Sequence, residues 1–485
     1  MIKKHLIFKV LFVLLASTLS TFVQAQDPRE EVEKKKLQQT IENLVQKSRI
    51  SKDKLGIVIG YSGEAHDSIY NLNGQKKMIP ASLTKIVTAA VALEKLPIGH
   101  KFTTELLSEG STQDGVLKGD LYLKGGGDSS FVSESMWNLV NSFSRTEVKI
   151  IEGDLVVDDT HFDSIRYDAG RDPARNDEPY DAPIGAMLFN WSSVSVFVRP
   201  HSELGQPAKV FLDPQTEYLR VVNKTKTVKG QRNSLAFSRR PSSDKNFIEE
   251  IIVTGEIGSD SREVNDYRSI TQPDLWAAYN LKEFLRQRGI EVKGQIRAGT
   301  TPKSARVLAE NKSKPVADQV RDMMKYSNNT VAEMLTKNIS AANKKVPATM
   351  DDGLSVMRAH LQSFGVKDFE LTSPSGLSRR NLFLPNDIFK VLSHLKQNFK
   401  VFPEFLASFP IMGIDGTLKK KRDDTPSYAR VRAKTGFLTG VAGLAGYLGR
   451  DDEKQITFVF IYNGEFAESA RARDLFDFIL DRLAQ

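Results

Sequence analysis

Hydrophobic positions recur with helical spacing at the two ends of this chain and with strand-like spacing in its middle. From Asp27 to about Ser48 the chain is charged, with Leu37, Ile41 and Leu44 on one face, which predicts an amphipathic helix. The run Lys54–Tyr61 (KLGIVIGY) predicts a strand, and His66–Leu72 a second strand paired with it. Ser82–Leu96 (SLTKIVTAAVALEKL) is largely apolar and predicts a buried helix. The other end has the same character. A strand opens at Val431–Lys434 and continues past Gly436, and a Gly-rich apolar segment follows at Gly440–Leu448. Gln455–Tyr462 (QITFVFIY) reads as a further strand, and Ala467–Leu483 as a closing amphipathic helix. Strands and helices from both ends predict one antiparallel sheet with helices packed on it.

The middle differs in texture. Phe102–Leu123, Val148–Val157, Val194–Val198 and Ile251–Ile257 carry short strand patterns separated by Gly, Asp and Ser turns. Residues 272 to 288 read as helical again. Arg220–Lys245 is basic and polar, and reads as a solvated loop or hairpin. The middle is therefore β-rich material inserted into the unit built by the ends.

Charge and composition narrow the function. Lys3, Lys4 and Lys9 precede an apolar stretch to about Val23, with small residues before Ala25, so residues 1–25 read as a secretory signal cleaved after Ala25. The alternative, an uncleaved anchor, must accommodate Ser17, Thr18, Ser20 and Thr21 in the apolar stretch. Of 68 Lys and Arg, three leave with the signal, so 65 basic residues face 60 acidic ones, a net charge of +5. That is no nucleic-acid footprint. There is no Cys, hence no disulfide and no lipoprotein anchor. The seven His show no ligand spacing, so neither a metal nor a cofactor is expected.

Three short motifs carry the chemistry. Ser82-Leu83-Thr84-Lys85 opens the apolar helix, Ser327-Asn328-Asn329 lies in a polar stretch, and Lys434-Thr435-Gly436 sits on a strand. Ser-x-x-Lys alone says little, since it also occurs at Ser51, Ser242 and Ser393, but only Ser82 starts a buried helix. A serine hydroxyl needs a base before it can attack. Ser82 and Lys85 share a helix face, and burial can keep the amine neutral. Read singly, each motif is also compatible with a capping serine, a polar loop or a strand ending in a turn. Together and in this order they form a nucleophile with an amine base, a polar relay and a carboxylate clamp.

These residues resemble the low-molecular-mass class C penicillin-binding proteins, the D-alanyl-D-alanine carboxypeptidase/endopeptidase family of serine peptidases. The likeness includes Pro80-Ala81 before Ser82, Lys118-Gly119-Asp120-Leu121, Gly126-Gly127-Asp128, Ser375-Gly376-Leu377-Ser378-Arg379 and Asp415-Gly416-Thr417-Leu418. It also includes 241 residues between Lys85 and Ser327, far more than in compact β-lactamases. The resemblance implies an α+β fold: a penicillin-binding/β-lactamase-like transpeptidase domain, an antiparallel sheet flanked by helices, with β-rich inserted domains. The expected boundaries are 26–97 and 301–485 for the catalytic domain and 98–300 for two nested insertions.

The resemblance also assigns roles. Ser82 attacks, Lys85 takes its proton, Ser327 relays a proton to the leaving amine with Lys434, and Asn329 holds the substrate amide. Lys434 and Thr435 bind the terminal carboxylate, and Gly436 lets substrate pair with the strand edge. The N–H groups of Ser82 and Phe437 form an oxyanion hole. Peptidoglycan stem peptides are the implied substrates, β-lactams the covalent inhibitors and the periplasm the location. The chain departs from the family at Phe437, where Ser or Thr is usual, at Ser373, often Asp, and at Ser129, usually Pro. Two other readings share these features: a β-lactamase or esterase on the same scaffold, and a non-catalytic wall-binding protein.

Overall fold

The computed structural model describes residues 28–62, 68–172, 174, 176–343, 346–420, 423–452 and 454–485. The expected signal segment lies outside these residues, as does the start of the strand expected at 66–72. Both chain ends build one five-stranded antiparallel sheet. Its order is Val431–Leu438, Val441–Gly449, Gln455–Asn463, Leu55–Tyr61, Ser68–Leu72. The N-terminal strand thus lies against the last one, with Leu55 opposite Tyr462.

Helices cover both faces, which explains why these strands read as unbroken apolar runs. Successive side chains point to opposite faces. Ile57, Phe458 and Phe460 pack under the helices Pro28–Lys47 and Ser469–Leu483, against Ile41, Val45 and Phe476. Their neighbours Val58 and Val459 pack under Thr84–Lys95 and the helices 316–326, 329–342 and 385–397, among Val87, Val320, Leu335 and Val391.

A second core gathers residues 106 to 309 from the insertion, including Leu121, Leu155, Phe189, Val253 and Trp276. The excursion opens on Thr103–Ser108 and closes on Arg306–Lys312, which pair antiparallel. Sheets formed within 193–269 are nested in sequence between the strands that end at 158 and those that begin at 291. The basic segment at 220–245 corrects the loop-or-hairpin expectation. Leu219–Val228 and Ala236–Pro241 are strands on opposite sides of Glu249–Gly258, one parallel and one antiparallel to it. Ala236–Pro241 is mostly exposed and Leu219–Val228 is only partly buried, so their polar sequences carry little hydrophobic signal.

Residues 159–190 return to the catalytic half. Phe162, Ile184, Ala186 and Leu188 are buried in the first core, beside the helix Thr84–Lys95. The paired glycines Gly436 and Gly443 let the Pro80–Leu83 turn lie directly on the sheet. A Cβ at Gly436 would sit 2.8 Å from Pro80 O, and one at Gly443 2.8 Å from Leu83 Cδ1.

Candidate active site

The Ser82–Lys85 segment begins as a turn. Ala81–Leu83 form a 3-10 turn that runs into the helix Thr84–Lys95. Residues three apart share a face where the turn runs into the helix, which sets Ser82 beside Lys85. Ala81 is held at φ +49°, a left-handed conformation that costs a non-glycine residue about 1–3 kcal/mol. Lys85 Nζ lies 3.1 Å from Ser82 Oγ.

Lys85 is fully buried, and among the described residues it makes no ion pair. Its amine donates to Asn329 Oδ1 at 2.6 Å and to Ser375 O at 2.5 Å. Burial, and then the positive charge of Lys434, push its pKa well below the ordinary lysine value, with Glu333 pulling the other way. A neutral amine has two N–H donors and one lone pair. With both donors taken by Asn329 and Ser375, the lone pair faces the Ser82 hydroxyl. That is the geometry of a general base.

Ser327 lies between two helices. It ends Val316–Tyr326 in the left-handed region, at φ +57°, and Asn328 caps the next helix by accepting from Val331 N at 3.1 Å. Asn329, the first residue of that helix, is thereby turned inward. Its Nδ2 donates to Tyr180 O at 2.9 Å. Lys434 reaches across from the sheet, donating to Ser327 Oγ at 2.9 Å and to Thr435 O at 2.7 Å. It is also fully buried, and burial pushes its pKa down to about 7.

The Lys434 strand is an edge of the sheet. Ala433 N donates outward to Pro410 O at 3.0 Å, so by the two-residue period the N–H groups of Thr435 and Phe437 point to the same edge. Thr435 Oγ1 donates to Thr417 Oγ1 at 2.9 Å. The side chain of Phe437 turns to the opposite face from Gly436. It is half exposed, and the Arg473 guanidinium lies 5.6 Å from its ring centre.

The fold therefore gathers Ser82, Lys85, Ser327, Asn329, Lys434, Thr435 and Gly436 around one cleft, with Phe437 on the Thr435 face of the same edge strand. Sequence reasoning missed the groups behind them. Glu333 stands one helical turn after Asn329 and is completely buried. Arg171, from the returning segment of the insertion, clamps it with two bonds, Nε to Oε1 at 2.9 Å and Nη2 to Oε2 at 2.7 Å. Arg171 Nη1 also donates to Asp181 Oδ1 at 3.0 Å. Burial pushes the Glu333 carboxyl up to about 7 against the pull of Arg171. The i, i+4 spacing of Asn329 and Glu333 was a usable signal for the helix face. Nothing local to Arg171 marked it.

A profile of the D-Ala-D-Ala carboxypeptidase 3 (S13) family matches residues 37–484. A D-alanyl-D-alanine carboxypeptidase of Actinomadura sp. (strain R39) is 31% identical over 436 residues, 86% of this chain and 79% of that protein. The D-alanyl-D-alanine carboxypeptidase DacB of Haemophilus influenzae is 28% identical over 402 residues, 82% of each. The crystal structure of penicillin binding protein 4 (dacB) from that organism superposes with a TM-score of 0.74 at 25% identity, covering 91% of this chain and 99% of the other. The same Haemophilus protein has been solved in complex with a β-lactam. With its motifs gathered in one cleft and its likeness to these proteins running almost end to end, the chain belongs to the D-Ala-D-Ala carboxypeptidase (S13) family of serine peptidases, the low-molecular-mass class C penicillin-binding proteins.

Proposed function

We propose that this protein is an exported serine DD-peptidase that acts in the periplasm on peptidoglycan stem peptides, removing terminal D-Ala, cutting D-Ala to diamino-acid crosslinks, or both. The observation that carries this reading is the buried Lys85 amine 3.1 Å from Ser82 Oγ, with the Lys434–Ser327 pair across the cleft. Lys85 takes the hydroxyl proton as Ser82 Oγ bonds to the carbonyl carbon. The oxyanion accepts from the N–H groups of Ser82 and Phe437, worth about 3 kcal/mol per donor. As the C–N bond breaks, Ser327 passes its proton to the leaving nitrogen and is reprotonated, through the Lys434–Ser327 pair, by the proton that Lys85 took, which leaves Lys85 neutral again. Water then attacks the ester as Lys85 takes its proton, and Lys85 returns that proton to Ser82 Oγ as the ester bond breaks. Lys434, Thr435 and Thr417 are aligned for a terminal carboxylate, and Asn329 for the amide of the preceding residue.

A β-lactam presents the same carboxylate and a reactive amide, and the related Haemophilus protein takes one. Export is supported by the signal-like N-terminus, and no described helix is long and apolar enough to cross a membrane. The test is covalent labelling. Fluorescent penicillin is expected to mark the wild type and not Ser82→Ala, and equal labelling of both would reject the assignment.

A further inference from the structure

A groove of about 470 Å³ runs outward from Ser327 between the two halves of the molecule. One wall is the Tyr326–Thr330 connection. The other comes from the insertion: Trp191, the start of the strand Ser193–Arg199, and Tyr267 on the neighbouring strand. Four aromatic side chains line it, Tyr180, Trp191, Tyr267 and Tyr326, and all are between 37% and 71% exposed. Among the described lining residues Asp213 is the one charged side chain, and the rest of the polar lining is Ser, Thr and Asn.

Trp191 is held there against its conformational preference. Asn190, Trp191 and Ser192 are three consecutive non-glycine residues with positive φ, at +46°, +51° and +53°. Neighbours on both sides fix them. Asn190 N donates to Phe131 O at 3.1 Å, and Ser192 O accepts from Ile270 N at 2.9 Å. Backbone conformations of this kind persist only where the surroundings over-determine them, and they concentrate at ligand sites.

We infer that this groove is a subsite for the glycan strand, an uncharged polymer of N-acetylated amino sugars, and that Trp191 and Tyr267 are its stacking platforms. The inference rests on the peptidase reading above. Sugar rings offer apolar C–H faces to aromatic rings and hydroxyl and acetamido groups to Ser, Asn and Asp side chains. A lining with a single charge suits such a polymer better than the carboxylate-bearing stem peptide. Reach also fits. A stem of about four residues extends at most ~14 Å, so the strand that carries it must pass close to the cleft. The groove opens at the cleft itself.

The experiment compares two substrates and one sugar probe. Chitotetraose, which has no peptide, is titrated by calorimetry into wild type, Trp191→Ala and Tyr267→Ala. D-Ala release is then measured on a disaccharide-linked pentapeptide and on a sugar-free acylated pentapeptide. The expected result is chitotetraose binding by wild type only. Both variants should lose about tenfold in kcat/KM on the disaccharide substrate and stay at wild-type values on the sugar-free one. Tyr267→Ala alters an exposed strand position and keeps the test independent of the strained turn at Trp191. Equal losses on both substrates, no loss on either, or no binding of the sugar probe by wild type would overturn the inference. Failure of the peptidase reading is a separate outcome, in which wild type neither releases D-Ala from the sugar-free peptide nor is labelled by penicillin.

Discussion

Lys85 and Lys337 are both buried to within 1% of complete, and both lie in the helical layer against the sheet. Their surroundings differ in charge. Lys337 Nζ contacts the Asp163 carboxylate at 2.5 Å, with Ile165 O at 2.9 Å. Lys85 Nζ contacts only neutral oxygens, those of Ser82, Asn329 and Ser375. Burial costs a charged amine several kcal/mol, and a carboxylate partner recovers part of it. Where the partner is supplied, the amine is an anchor. Where it is withheld, the proton is shed and the amine becomes a base. Asn329, Glu333 and Lys337 follow one another at four-residue spacing along a single helix. One stripe therefore serves the base at one end and ties down the insertion, through Arg171 and Asp163, at the other.

The contrast breaks most visibly by removing each amine in turn. Lys85→Met should lower the rate of acylation by labelled penicillin by about 10³-fold, the scale of a lost general base. Its melting temperature should not fall, because a desolvated amine is replaced by an apolar chain of similar length. Lys337→Met should do the reverse. Asp163 is left without its cation and, being about one-fifth exposed, costs roughly 2 kcal/mol rather than the 3–5 of a fully buried pair. Equal losses of stability in the two variants would erase the distinction between base and anchor.

A pH series sharpens the comparison. Lys434 titrates near 7 when folded and near 10.4 when unfolded, so between these values the unfolded chain holds more protons. Folding stability from this group therefore rises as pH increases from about 7 toward 10, and is lost as pH falls back through 7. Thermal melts of Lys434→Met should show a flatter rise over that window than wild type, and parallel curves would place the amine in a more hydrated setting. The smallest effect is expected at Phe437. Phe437→Thr adds a hydroxyl on the Thr435 face of the edge strand, worth about 0.5–1.5 kcal/mol for one hydrogen bond. Steady-state kinetics on a D-Ala-D-Ala tripeptide should show KM lowered severalfold with kcat nearly unchanged.

Much of the catalytic half was legible because its signals are local. The motif serines and lysines sit at fixed short spacings, and the buried strands Leu55–Tyr61 and Gln455–Asn463 are apolar runs bounded by turns. What the sequence concealed depends on distant partners. Ser375 contributes only a carbonyl to Lys85, and any residue has one. Arg171 lies 162 positions from Glu333, with no periodic pattern to connect them. The strands within 219–241 read as polar because they are at most partly buried, and their parallel and antiparallel pairing to one central strand is set by tertiary context. Phe437 was legible as a departure from the family, but only the alternation of the edge strand tells which of its groups meets the cleft.

The place of Leu55–Tyr61 in the sheet has a consequence for biosynthesis. This strand emerges early but must wait for Gln455–Asn463, more than 390 residues later, before it has a neighbour on that side. Ser82 is thus translated long before the surface that opposes it. Any product that stops short of the final strands carries the serine and its amine but no wall to hold a substrate against them, which makes completion of the chain itself a safeguard against premature hydrolysis.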